Sequence, residues 1–248
     1  MNVMHTDTTK RHNEVLDLII KQYIETAEPV SSRSVARKLK LSSATIRNVM
    51  ADLEDMGFIT HPHTSAGRIP TDKGYRYYID SLMRIRSIND GVVKMIDVQY
   101  HERMKSLEDV LEKTSHLISS LTNYVGITLY PFYEKVYLDG ASHILEQPEF
   151  KDYGKLYNIL KCLEEKRAIL NLLSNDFGED GLTVHIGREL KSSNFSECSI
   201  VTRGYKVRGK PSGRLGVIGP KRMLYDKVIP TVEILADAVT NILEELEV

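Results

Sequence analysis

The chain has 248 residues, 42% of them hydrophobic and 27% charged, which is apolar enough for a sizeable core and too evenly charged for wholesale disorder. No apolar run approaches the roughly 18 residues that a membrane-crossing helix needs, VGITLY at 125–130 being far too short, so no membrane association is expected. Two cysteines, Cys162 and Cys198, make neither a disulfide framework nor a paired metal motif, and the opening MNVMHTDTTKR lacks the apolar core of a secretory leader; a reducing cytoplasm is expected.

The formal net charge of −1 hides an uneven distribution. Between Pro29 and Ala51 lie Arg33, Arg37, Lys38, Lys40 and Arg47 with no acidic residue. That local cation cluster, rather than the total, is what a polyanion would feel.

From Arg11 to Thr26 the apolar residues Val15, Leu18, Ile19 and Tyr23, with Leu16, Ile20 and Ile24 beside them, follow helical spacing over a broad face. They predict a well-buried first helix, stopped by Pro29. Ser31 and Ser32 offer hydroxyls to a second helix edged by Val35 and Leu39, and Lys40 and Leu41 make a tight connection. Ser42 or Ser43 then caps a third helix with Ile46, Val49, Met50, Leu53 and Met56 as its core stripe, closed by Gly57. FITH reads as a strand, PHTSAGR as a polar turn, and Thr71-Asp72 as a helix start ahead of GYRYYIDSLM. Three helices and a small hairpin predict a winged helix-turn-helix.

Residues 99–122 read as one amphipathic helix, because Met104, Leu107, Leu111, Thr114, Ile118 and Leu121 recur at alternating steps of three and four. This short seam has two possible uses. It joins two copies of the chain, with Met104, Leu107, Leu111, Ile118 and Leu121 as dimerisation residues, or it packs on its own C-terminal domain; the Thr in the seam favours the second. Beyond it, strands are expected at 124–130, 135–138, 182–186, 196–207 and 213–218. Helices are expected at 152–173 and 226–247, with Pro230 near the first turn of the last. The expected fold class is α+β and multidomain: a winged unit at 1–90, a linker helix at 91–122, and a mixed α/β domain at 123–248.

In the third helix the stripe faces inward and leaves Ser43, Ala44, Thr45, Arg47, Asn48 and Ala51 toward solvent. A recognition helix meets base edges there: Arg pairs with guanine O6 and N7, Asn with adenine N6 and N7, and Ala or Thr methyls pack on thymine. The plainer reading is that these are capping hydroxyls and solvated surface. The acid-free basic stretch and the wing favour DNA. Thr64, Ser65 and Arg68 on the wing are expected near phosphates, Arg68 alternatively in a minor groove, and Ser32, Arg33, Lys73 and Arg76 complete the candidate set.

Enzyme and metal chemistry find no footing. Gly204, Gly209 and Lys210 have P-loop spacing, but Pro211 replaces the hydroxyl residue that would hold magnesium, and GKPSG reads as a turn between strands. Cys162 and Cys198 read as packing residues, and His61 and His63 as a polar turn with no ligand set. No catalytic residue, metal or cofactor is expected.

The stretch from Arg11 to Asp80, above all SAGRIPTDKGYR at 65–76, resembles the DNA-binding domain of the HrcA family of heat-inducible transcription repressors. DGASHILEQPEF at 139–150 and ECSIVTRGYKVRGKPSGRLGVIGPKRM at 197–223 resemble the end of the same family. The resemblance implies a dimeric repressor on double-stranded DNA, at the inverted-repeat CIRCE operator upstream of chaperone genes. It implies a GAF-like C-terminal domain, here reduced, and the chaperonin GroEL as the partner that keeps the repressor active until unfolded protein titrates it. In family chains a long middle region, with an inserted dimerisation domain, lies between the segments matching NYVGITLY and VYLDGAS. Here only PFYEK, residues 131–135, separates them, which moves the expected dimer contacts to the seam at 104–121 or to the domain around 182–218. The alternative is a ligand-sensing regulator whose GAF-like domain holds a small molecule.

Overall fold

The computed structural model describes residues 9–63, 66–101, 104, 106–178 and 180–246. They form two compact units that divide between Arg84 and Ile85.

In the first unit, helix α1 (Lys10–Thr26) starts at Thr9, whose hydroxyl accepts the His12 amide, and ends on Ala27 in the left-handed conformation. Helix α2 (Ser32–Leu39) is capped by Ser31, and helix α3 (Ser43–Asp55) by Ser42. Lys40, with φ 56°, makes the turn between them, and Gly57, with φ 76°, follows α3. These starts and stops are local: a hydroxyl satisfies a free amide three residues on. Val15, Leu16, Ile19, Ile20, Val35, Ile46 and Leu53 close into the core. Met56, expected in the stripe, is the C-cap and only half-buried. Strands β1 (Ile59–Thr60) and β2 (Ile69–Pro70) pair antiparallel as the wing base. Helix α4 (Asp72–Tyr77) follows, capped by Thr71 and widening into a π-helical turn to Leu82.

The second unit opens with α5 (Asp90–His101) and α6 (Leu107–Thr122). The single helix expected over 99–122 is therefore two: the Ser106 hydroxyl caps α6 by accepting the Asp109 amide. Strands β3 (Val125–Tyr130), β4 (Lys135–Asp139), β5 (Leu182–Ile186), β6 (Cys198–Val207) and β7 (Lys210–Pro220) make an antiparallel sheet in the order β4-β3-β7-β6-β5. PFYEK closes β3 onto β4 as a hairpin, with Tyr130 opposite Lys135.

Helices α6 and α9 (Tyr225–Glu245) pack on one sheet face, and α7 (Tyr153–Glu164) and α8 (Lys166–Leu172) belong to the apolar core on the other. The helix expected over 152–173 breaks at Glu165, which is extended. Alternation along β3 serves both faces: Ile127 and Leu129 enter the α7–α8 core, while the Thr128 hydroxyl donates to the Leu111 carbonyl of α6 at 2.8 Å. A Cβ on Gly126 would lie 2.1 Å from Ser115 O, so only glycine lets α6 approach this closely. Of the seam residues, Leu107, Leu111 and Ile118 are buried inside this unit, and Met104 and Leu121 are half-buried.

Two further departures from the sequence-based expectation have physical causes. The β6–β7 turn is Arg208-Gly209, both at positive φ, rather than GKPSG; Pro211 lies within β7 beside the bulge at Tyr205/Lys206. Pro230 sits in the second turn of α9, not the first. The Asp226 carbonyl that loses its helical donor accepts the Arg86 amide at 3.1 Å, and Arg86 Nε pairs with the Asp226 carboxylate at 2.5 Å. Arg214, only 1% exposed, is held by Thr202 Oγ1, Thr183 Oγ1 and the Asp176 and Gly181 carbonyls, all at 2.8–3.0 Å.

Candidate nucleic-acid interface

Helix α3 presents its first two turns because Ile46, Val49 and Met50 anchor the opposite side. Ala44, Thr45, Arg47, Asn48 and Ala51 are exposed and Ser43 is half-buried. The Ser42 hydroxyl accepts the Thr45 amide at 3.0 Å and lies 2.8 Å from the Thr45 hydroxyl, so the helix start is rigid and its small side chains keep the backbone accessible. On α2 and the turn after it, Arg33, Arg37, Lys38 and Lys40 are exposed, with Ser32 half-buried in the first turn. Arg33, Arg37, Lys38, Lys40 and Arg47 have no ion-pair partner among the described residues. This patch of unneutralised cations surrounds a helix start at which Arg47 and Asn48 are exposed, residue types that can bind polyanions and base edges.

The cations of the wing side are engaged within the unit. Arg68 Nη2 lies 2.8 Å from Glu54 Oε2, and the other Glu54 oxygen pairs with His61 Nδ1. The Arg68 backbone exchanges two hydrogen bonds with Val30, each 2.8 Å. Lys73 donates to the Met56 carbonyl at 2.8 Å, satisfying the end of α3, and rests 4.9 Å above the Phe58 ring. Arg76 faces Asp80 at 3.5 Å. Thr64 and Ser65 lie outside the described residues.

Much of the idiosyncratic SAGRIPTDKGYR run thus has a packing cause. Gly67 passes so close to the α1–α2 connection that a Cβ would meet Val30 O at 2.6 Å, and one on Gly74 would meet Phe58 O at 2.1 Å. Thr71 caps α4 while donating to the Gly57 carbonyl at 2.6 Å. The second patch converges in the same way: Arg222 of GPKRM pairs with Glu149 and donates to Gln147, both in DGASHILEQPEF. The sequence pattern did not single out Glu54, and it gave His61 only as part of a polar turn, without its carboxylate partner. The one available signal was a carboxylate in the last turn of a helix, where the helix dipole disfavours it.

A three-helix unit with a short wing, and exposed Arg47 and Asn48 beside cations that have no ion-pair partner among the described residues, defines a winged-helix DNA-binding regulator. Residues 7–81 match the family described as "Winged helix-turn-helix transcription repressor, HrcA DNA-binding", and residues 132–229 match "HrcA protein C terminal domain". The chain is 32% identical to the heat-inducible transcription repressor HrcA of Pelotomaculum thermopropionicum, over 95% of this chain and 97% of that protein. It is also 32% identical to the repressor of the same name from Geobacter sulfurreducens, over 96% and 99%. The chain belongs to the HrcA family of heat-inducible transcription repressors. A crystal structure described as a hypothetical protein shares the fold, with a TM-score of 0.75 at 20% identity, covering 97% of this chain and 100% of that one.

Proposed function

We propose that the chain represses chaperone genes by binding, as a dimer, the inverted-repeat CIRCE operator in the cytoplasm, and that GroEL sustains its active form. The observation that carries the DNA part is the coincidence of the free cations Arg33, Arg37, Lys38, Lys40 and Arg47 with exposed Ala44 and Asn48 at the start of α3. One recognition helix reads too few base pairs for specificity alone, and a palindrome doubles it. Burial of Leu107, Leu111 and Ile118 inside the sheet unit argues against the seam as the dimer contact and favours the other expected region, an exposed surface of the domain around 182–218. The GAF-like reading of that unit is supported by a five-stranded antiparallel sheet with helices on both faces. The chaperonin part rests on family membership.

The test is binding to the CIRCE repeat, to a single half-site and to a scrambled duplex. Equal affinity for all three, by a protein monomeric at every concentration, rejects the proposal. A ligand-sensing regulator draws on a different observation: an apolar hollow of about 310 Å³ lined by Pro131, Phe132, Phe177 and Pro211. Thermal-shift screening against small apolar molecules separates the two.

A further inference from the structure

Glu54 is in an unfavourable place by two independent arguments. It lies in the last turn of α3, where the partial negative charge of the helix end repels a carboxylate. It also sits on the recognition helix, about two turns beyond Arg47 and Asn48, in the field that phosphates would meet. What offsets these costs is tertiary. One oxygen takes Arg68 Nη2 at 2.8 Å, the other takes His61 Nδ1, and the side chain is only 24% exposed. His61 follows β1 and Arg68 precedes β2, so one carboxylate ties both sides of the wing base to the end of α3. Arg68 is fixed at its other end as well. Its backbone is paired twice with Val30, in the α1–α2 connection. A guanidinium held this way has little freedom to follow a phosphate.

We propose that Glu54 is a positioning residue for DNA recognition and that Arg68 is the strut through which it acts: together they set the wing turn against α3, and neither touches DNA. This rests on the reading that the winged unit binds the operator. It goes further by assigning to an acidic residue a contribution to affinity, and by removing Arg68 from the phosphate contacts.

The experiment measures operator affinity against salt for the full chain and for Glu54→Gln, Arg68→Ala, Arg68→Lys, Arg47→Ala and the Glu54→Gln/Arg68→Ala pair, with helix content checked by circular dichroism. Loss of a phosphate contact lowers the salt slope by about one unit. The strut predicts that Glu54→Gln weakens operator binding, by roughly tenfold, although it removes a negative charge. It predicts that Arg68→Ala weakens binding to the same extent with the slope unchanged, that Arg68→Lys is no better than Arg68→Ala because lysine ends one bond short of Nη2 and cannot keep the contact to Glu54, and that the double variant is no worse than either single one. Higher affinity in Glu54→Gln, a slope lowered by one unit in Arg68→Ala, or wild-type binding by Arg68→Lys each overturns it. Glu54→Gln keeps the side-chain volume and one acceptor, so it reports even where Arg68→Ala fails to fold. Absence of operator binding by the unsubstituted chain is a separate result, which rejects the DNA reading itself.

Discussion

Gly74→Ala sets two effects against each other on one atom. Gly74 lies in the first turn of α4, and on helix propensity alone alanine gains up to about 1 kcal/mol. The added Cβ, however, would fall 2.1 Å from Phe58 O and 3.1 Å from Phe58 C, both backbone atoms. An ordinary carbon–oxygen contact needs about 1 Å more, so α4 or the β1 entry must move. Phe58 O cannot yield freely, because it accepts the Thr71 amide at 3.0 Å and the Thr71 hydroxyl at 3.2 Å. Overpacking costs about 1–3 kcal/mol and each stretched hydrogen bond about 1, so the clash wins and the net loss is about 1–4 kcal/mol. With two compact units, a bulk melting curve mixes transitions, and amide hydrogen exchange in α1 and α3 of the full chain is the cleaner assay. A loss of about 2 kcal/mol lowers protection roughly 30-fold. Unchanged or increased protection would show that helix propensity prevails and that the close approach of α4 to Phe58 is softer than its geometry implies.

Arg47→Ala removes the proposed bidentate guanine contact and should cost about 1–3 kcal/mol on the operator and far less on random duplex; equal losses in a competition titration would reassign Arg47 to phosphate. Arg214→Met leaves the Asp176 and Gly181 carbonyls and two threonine hydroxyls without their donor, and should destabilise the sheet unit by on the order of 3–5 kcal/mol, read as lost exchange protection in β6 and β7. Burial pushes the Cys198 thiol up to about 12, with Glu197 adding to the effect, whereas Cys162 is half-buried; a thiol reagent at pH 8 should modify one cysteine per native chain and two in denaturant. From about pH 9 the unfolded chain has lost a proton that native Cys198 retains. Stability therefore falls as pH rises, by up to about 1.4 kcal/mol per unit, and between pH 9 and 10 Cys198→Ala should flatten that decline; identical slopes refute it.

The sequence by itself determined whatever is settled within a few residues. Ser31, Ser42 and Thr71 cap helices because a hydroxyl reaches the amide three positions on, and the stripe Ile46, Val49, Met50, Leu53 decides which side of α3 is left for Arg47 and Asn48. Strand positions in the second unit followed from apolar patterning in the same way, to within three residues at either end. The tertiary structure decided the partners of the charges. Arg33 and Arg68 look alike in the sequence, yet among the described residues one has no ion-pair partner and the other is bound to Glu54, fourteen residues earlier. The same holds for Lys73 on the end of α3, for Arg86 on the carbonyl that Pro230 frees, and for Arg214 inside the sheet unit. Periodicity records which side chains face inward, because burial acts on each residue separately. An ion pair depends on the separation of two residues that only the completed fold brings together, and no local pattern encodes that distance.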